Sequence, residues 1–257
     1  MDAIYKVIEG AEAFYIEGND TGILLSHGFI GTPQSVGYVG NQLAEKGYTV
    51  LAPRLEGHGT HYKDLESCSY HDWHRSLEQA YESLAEKCES IIVMGQSMGG
   101  TLALRFAAEK KGKLKGIILI NPALTIPSWD FLKSGAAPRY IDEGNPDIKA
   151  KNVVEIAYPK VPVASIRELQ KLMGETKELL NRITCPVLGF RSAVDHVVPP
   201  ENTDYIMEQI RSSFKYVHDL PNSYHVATMD HDKDMICDRS HSFIEQLTES
   251  MVYDVSR

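Results

Sequence analysis

Short runs of apolar residues alternate along the chain with stretches whose apolar residues recur every three or four positions. The runs predict strands buried on both faces, and the longer periodic stretches predict amphipathic helices. The predicted strands are 21–28, 48–55, 90–95, 114–121, 185–192 and 215–221, and the predicted helices are 35–47, 73–87, 98–112 and 200–212. This alternation predicts an α/β fold, with a mostly parallel central sheet and helices on both faces.

One region does not follow this alternation. Residues 122–170 contain six prolines and scattered aromatic residues, which predict short helices and loops rather than a strand–helix unit. An irregular surface excursion is one interpretation. A small lid over an active site is the favoured one, because long inserts in compact domains are often functional. We therefore expect a single domain over residues 1–257 with a lid inserted at about 122–170.

Composition narrows the classes of partner. The chain has 257 residues and a formal net charge of -9 without a basic tract, so no nucleic acid partner is expected. It has neither a secretory leader pattern nor an apolar segment near the ~18 residues that span a membrane. The four cysteines form no C-x-x-C pair, and with no leader we expect reduced thiols in the cytoplasm. No nucleotide-binding glycine motif is present, so no cofactor is expected.

The segment "VMGQSMGG" carries the first chemical signal. It places Ser97 between Gly95 and Gly99, after a predicted strand and before a predicted helix. A plain turn is one interpretation. The alternative is a nucleophile elbow, a sharp turn that exposes the serine and leaves no room for side chains two positions before or after it. The strand–turn–helix context favours the elbow, with the positive end of the helix dipole directed at the site.

A serine hydroxyl needs a base to take its proton and an acid to orient that base. In folds with this elbow the chain order is serine, acid, histidine. His225 is predicted as the base because it follows the last strand and precedes the last helix. Asp195 is predicted as the acid because it follows the strand at 185–192. The residues that compete for these roles are Asp204, Asp219, His231 and His241.

Acyl transfer also needs hydrogen-bond donors for the oxyanion. The backbone N–H of Met98, directly after the serine, is one predicted donor. The N–H of Phe29 in "SHGFIGTP" is the other, since this loop follows an early strand. A simple glycine-rich turn is the alternative for that loop.

A metal site is the competing interpretation of the histidine-rich stretches "HGTHYKD" and "HDWH". His71 and His74 have helical spacing, and His58 and His61 lie nearby in the sequence. Because no adjacent motif completes a ligand set, we predict no metal and expect these histidines to cap helices and hydrogen-bond locally.

The chain resembles the α/β-hydrolase family, in particular small bacterial monoacylglycerol lipases and related carboxylesterases. The stretches that carry the resemblance run from about residue 10 to 245 and include "HGFIGTPQS", "APRLEGHGTHYKDLE", "GQSMGGTLAL", "DHVVPP" and "NSYHVATMD". The resemblance implies that Ser97, Asp195 and His225 form a catalytic triad. It also implies that the N–H groups of Phe29 and Met98 form the oxyanion hole.

The resemblance further implies that the insertion is a lid in which Glu155 binds the polar glycerol end of a substrate. A solvated helix carboxylate is the alternative for Glu155. Two residues depart from the family pattern: Ile30 stands where threonine is usual, and Gln96 stands where an apolar residue is usual. Because Gln96 can alter the wall of the pocket, the resemblance does not fix the preferred length of the acyl chain.

These features together predict a serine esterase that hydrolyses monoacylglycerols to fatty acid and glycerol. A general carboxylesterase is the main alternative, and a thioesterase, an amide hydrolase or a non-catalytic receptor would use the same fold. The predicted partner is a small-molecule ester, and the sequence leaves the oligomeric state open.

Overall fold

The computed structural model describes residues 5–133 and 137–249. Residues 134–136 of the predicted insertion lie outside the described residues, as do 1–4 and 250–257 of the predicted domain. The strands are β1 (Phe14–Ile16), β2 (Thr21–Ser26), β3 (Thr49–Ala52), β4 (Ser90–Gln96), β5 (Gly116–Ile120), β6 (Tyr140–Asp142), β7 (Lys160–Pro162), β8 (Val187–Ser192) and β9 (Lys215–Leu220). The α-helices are α1 (Gln34–Glu45), α2 (Tyr62–Glu66), α3 (Tyr70–Ala85), α4 (Met98–Glu109), α5 (Val163–Lys177), α6 (Glu201–Gln209) and α7 (Lys233–Glu249).

Seven of these strands form one sheet, in the order β1-β3-β2-β4-β5-β8-β9. β1 runs antiparallel to β3 and every other neighbouring pair is parallel. The three central strands β2, β4 and β5 are buried at nearly every position because a hydrophobic layer covers each face. Helices α3, α4 and α5 contribute to one layer, and α1 and α7 contribute to the other. The predicted α/β architecture is confirmed.

Local capping shifts several predicted boundaries. Helix α3 begins three residues before the predicted start, because Ser69 and Asp72 form a capping box. Helix α1 ends before Gly47, whose φ of +97° is a left-handed conformation that favours glycine. The predicted strand 48–55 is shorter, since it ends at Ala52.

The insertion has more regular structure than the sequence predicted. It begins with a 3₁₀-helix, Pro127–Lys133, and continues into an antiparallel pair, β6 with β7. Its predicted end at residue 170 falls inside α5, because that helix buries an apolar stripe that includes Ile166, Leu169 and Leu172. No helix in the described part of the chain is both long enough and apolar enough to cross a membrane.

Candidate active site

Ser97 occupies a strained turn between β4 and α4. Its φ of 55° and ψ of −118° lie in a region that residues with a side chain rarely adopt. A Cβ on Gly95 would lie 2.2 Å from the carbonyl oxygen of Gly99, and one on Gly99 would lie 2.3 Å from that of Ser26. The glycines are therefore required by backbone contacts, as the elbow pattern predicts.

His225 and Asp195 form a hydrogen-bonded line with Ser97. The Nε2 atom of His225 lies 2.9 Å from Ser97 Oγ, and its Nδ1 atom lies 2.7 Å from Asp195 Oδ2. The His225 and Asp195 side chains are buried, at 8% and 2% exposed. With Nδ1–H donating to the carboxylate, Nε2 is free to accept the serine proton. The three predicted residues therefore have the geometry of a nucleophile, a base and an orienting acid.

Backbone groups hold the acid in place. The second oxygen of Asp195, Oδ1, accepts the N–H groups of Val197 at 2.9 Å and Val198 at 2.7 Å. Both carboxylate oxygens are thus fixed, which leaves the side chain little freedom to turn away from His225.

The residues that competed for these roles are engaged elsewhere. Asp204 and Asp219 both pair with the guanidinium of Arg191. His241 contacts Tyr48 through Nδ1 at 2.8 Å and belongs to α7. His231 is exposed, and its backbone N–H donates to the carboxylate of Asp230 at 2.8 Å.

Of the two predicted oxyanion donors, Met98 directly follows Ser97, and Phe29 lines the same cavity as Ser97. Met98 is the first residue of α4, where backbone N–H groups have no acceptor within the helix. Gly28, directly before Phe29, approaches closely, because a Cβ there would lie 3.5 Å from Ser97 Cβ. Ile30, the departure noted in this loop, has a φ of 55°, which is a strained conformation for a β-branched residue. The loop is therefore held in its shape by its surroundings.

The four histidines of the metal alternative have separate local contacts. His58 Nδ1 lies 3.1 Å from the carbonyl oxygen of Glu56, and the His71 ring lies 4.0 Å from that of Tyr70. His61 caps α2 by accepting the N–H of Lys63 at 3.2 Å, and His74 pairs with Glu109 at 3.0 Å. His58 is buried, and burial holds its pKa well below the usual range. Over residues 5–133 and 137–249, no three His, Cys, Asp or Glu side chains are grouped so that they could hold a metal ion.

A cavity of about 370 Å³ has Ser97 and His225 in its wall. More than half of its lining residues come from 122–170, and several are apolar, such as Ile126, Trp129 and Leu169. The ring of Trp129 lies 5.8 Å from that of Phe29, so the insertion contacts the loop after β2 that carries Phe29. Both the size and the lining suit a small molecule with an apolar part.

Three carboxylates, Glu143, Asp147 and Glu155, line this cavity. Burial raises the pKa of Glu155 to about 7, and the nearby Glu143 carboxylate adds to that rise whereas His225 opposes it. Burial also raises the pKa of Glu143. Within the described residues, the structure gives the Glu155 carboxylate no hydrogen-bond donor, and its Oε1 lies 2.9 Å from the position of a Cβ on Gly31. Glu155 is therefore a polar group directed at the cavity.

The raised pKa of Glu155 predicts how stability depends on pH. The folded chain binds this proton more tightly than the unfolded chain, whose glutamate titrates near 4.5. This contribution to stability is complete below about pH 4.5 and is lost as the pH rises through 7. Glu155→Gln has no such loss, so its melting temperature is expected to exceed that of the wild type at pH 8, with the gap closing towards pH 5. Thermal melts across this range, with Glu82→Gln on an exposed helix face as the control, test this; a pH-independent gap contradicts it.

Gln96, the other departure from the family pattern, bonds to the segment after His225. Its Oε1 accepts the Oγ–H of Thr228 at 2.5 Å and the backbone N–H of Thr228 at 3.2 Å. The amide is 2% exposed, and these bonds connect the elbow to the 3₁₀-helix Ala227–Met229 that follows His225.

Some residues of the site were missed by sequence reasoning. Asn121, directly after β5, donates through Nδ2 to the carbonyl oxygen of His225 at 2.9 Å and accepts the N–H of Ser192 at 2.8 Å. Asp147, Glu143 and Trp129 belong to the insertion, where no short-range pattern marks them. An asparagine directly after a buried strand was the one available signal, since asparagine tolerates the left-handed φ of 44° found here.

The parallel sheet, the strained serine after its central strand and the adjoining histidine and aspartate define an α/β-hydrolase. The chain belongs to the serine aminopeptidase S33 family, whose profile matches residues 19–232. It is 48% identical over 245 residues to a thermostable monoacylglycerol lipase of Bacillus sp. (strain H-257), covering 95% of this chain and 98% of the relative. It is also 28% identical over 240 residues to a carboxylesterase of Bacillus subtilis (strain 168), covering 91% and 96%.

Solved structures agree with this placement. A structure reported with LipS and LipT, two metagenome-derived lipolytic enzymes, superposes with a TM-score of 0.91 at 40% identity. The match covers 94% of this chain and 100% of that one. The predicted family and fold are therefore confirmed.

Proposed function

We propose that this chain hydrolyses monoacylglycerols to fatty acid and glycerol through an acyl-enzyme on Ser97. The observation that carries the proposal is the Asp195–His225–Ser97 hydrogen-bonded line in the wall of a cavity that also contains Glu155. The likeness to a monoacylglycerol lipase at 48% identity supports the substrate class.

The reaction follows from the hydrogen bonds of the site. His225 Nε2 takes the proton as Ser97 Oγ attacks the ester carbonyl, and the N–H groups of Phe29 and Met98 stabilise the oxyanion. His225 then gives the proton to the departing alcohol, which leaves the acyl group on Ser97. A water molecule deprotonated by the same imidazole releases the fatty acid and restores the serine.

The position of Glu155 supports a substrate whose leaving alcohol carries further free hydroxyl groups. The leaving oxygen has to lie within reach of His225 Nε2, because that nitrogen returns the proton. His225 lies close enough to Glu155 to lower the pKa of that carboxylate, which supports a position for Glu155 on the alcohol side of the cavity. Free glycerol hydroxyls can donate to it, whereas a triacylglycerol has none.

The insertion at about 122–170 acts in this proposal as a lid on a single domain. It supplies most of the cavity wall, and a cavity of this size accommodates one acyl chain more readily than three. The four cysteines are free thiols, and burial raises the pKa of each. Unreactive, unpaired thiols suit a reducing compartment, which supports a cytoplasmic location.

The substrate preference is tested by kcat/KM on a monoacylglycerol and a triacylglycerol of equal chain length in dispersing detergent. We expect the monoacylglycerol to be favoured at least about 10-fold, because buried acceptors reject substrates that leave them unpaired. Glu155→Ala should lower the rate on monoacylglycerol more than on a nitrophenyl ester, with Glu82→Ala as the control. A ratio of the two kcat/KM values near one would indicate a general carboxylesterase instead. Faster cleavage of an aminoacyl nitroanilide than of any ester would instead indicate a peptidase.

A further inference from the structure

One carboxylate of the insertion connects the two loops that carry His225 and Asp195. Asp147 Oδ2 accepts the backbone N–H of His225 at 3.1 Å and that of His196, the neighbour of Asp195, also at 3.1 Å. Its Oδ1 lies 2.7 Å from His196 Nδ1. The side chain is 16% exposed, so water competes little for these contacts.

Further hydrogen bonds connect residues 147–150 of the insertion to the loop that carries His225, residues 221–226. The carbonyl oxygen of Asp147 accepts the N–H of Val226 at 3.1 Å. Asp230, which is 1% exposed, accepts the N–H groups of Lys149 at 2.7 Å and Ala150 at 2.9 Å from the insertion, and that of Tyr224 at 2.9 Å. Residues 147–150 are therefore bound on both sides of His225.

The histidine loop needs such support. Residues 221–226, between β9 and the following 3₁₀-helix, have no regular secondary structure. Their position therefore depends on side chains that accept their N–H groups. A displacement of about 1 Å at a catalytic group can cost about 10²-fold in rate.

We propose that Asp147 is a positioning residue that fixes His225 relative to Asp195, so that the insertion is part of the catalytic framework as well as the wall of the cavity. The proposal rests on the proposed function, because it assumes that His225 acts as the base. Asp147 also lines the cavity, but in this role its carboxylate does not contact Ser97. It acts through the backbone of His225 and His196.

The test compares Asp147→Ala and Asp147→Asn with Asp142→Ala, an exposed aspartate of the same insertion. Asp147→Ala is expected to lower kcat about 10- to 100-fold on both a monoacylglycerol and a small nitrophenyl ester, with KM changed less than about 3-fold. The rate of fluorophosphonate labelling at Ser97 should fall by the same factor. Asp147→Asn should recover most of both rates, since its amide oxygen still accepts backbone N–H groups, and Asp142→Ala should match the wild type.

Three results would overturn the proposal: an Asp147→Ala kcat within twofold of the wild type, a change in KM alone, or an Asp147→Asn variant as slow as Asp147→Ala. If Asp147→Ala does not fold, Asp147→Glu takes its place, because it keeps the charge and displaces the carboxylate by one methylene. A lowered kcat is expected there, and an unchanged kcat rejects the proposal. Failure of the proposed function is distinguishable, because it shows in the wild type itself, as absent labelling of Ser97 or as no preference for monoacylglycerol.

Discussion

Ser97→Ala is expected to abolish ester hydrolysis while leaving the fold intact. Only the nucleophilic oxygen is removed, and the Cβ that fits the turn remains, so the melting temperature should stay near that of the wild type. The expected loss in kcat is about 10⁴-fold or more, the scale at which removal of a triad member acts in serine hydrolases.

The control is Ser83→Ala on α3, where an exposed hydroxyl bonds only to the preceding turn. It should keep full activity in the same preparation. If purified Ser97→Ala, cleared of host esterases, retains a tenth of the wild-type rate, another residue is the nucleophile.

Gly99→Ala is expected to destabilise the fold strongly. The added Cβ would lie 2.3 Å from the carbonyl oxygen of Ser26 and 2.7 Å from that of His27. Both contacts are with backbone atoms, so β2 or α4 has to move. Overpacking typically costs about 1–3 kcal/mol, and because both contacts are this short we expect a loss of about 3 kcal/mol or more. At about 2–4 °C per kcal/mol, the melting temperature should fall by about 10 °C.

Gly37→Ala is the matched control for that substitution. Gly37 also lies in a helix, but a Cβ there meets nothing within 4 Å. Alanine favours the helix by up to about 1 kcal/mol, so this variant should be as stable as the wild type or more so. Equal melting temperatures for the two variants would show that the close approach of β2 to α4 is absent in solution.

The elbow could be predicted from the sequence because its constraints are local. Gly95, Ser97 and Gly99 lie within five residues, and the strand before them and the helix after them have clear periodicity. The central strands could also be predicted from the sequence, because burial on both faces favours continuous apolar runs. His225 and Asp195 followed from chain order and from their places after predicted strands.

Other features depend on distant parts of the chain and have no local pattern. β1 has three residues and one covered face, so its alternation is too short to detect. α5 follows a proline-rich stretch, and its apolar stripe is explained by tertiary packing against α4, α2 and α3. Asp147 meets His225 across 78 residues of chain. Such a contact is fixed by tertiary folding, and the surrounding sequence gives no sign of it.

The assignment of Ser97 as a nucleophile activated by His225 and Asp195 is tested most directly by covalent labelling. The wild-type protein is treated with a fluorophosphonate probe, its intact mass is measured, and the labelled peptide is mapped while residual monoacylglycerol hydrolysis is followed. We expect one adduct per chain, located on Ser97, with activity lost in proportion to labelling. An adduct on a different residue, or full hydrolysis by a chain labelled at Ser97, would contradict this assignment.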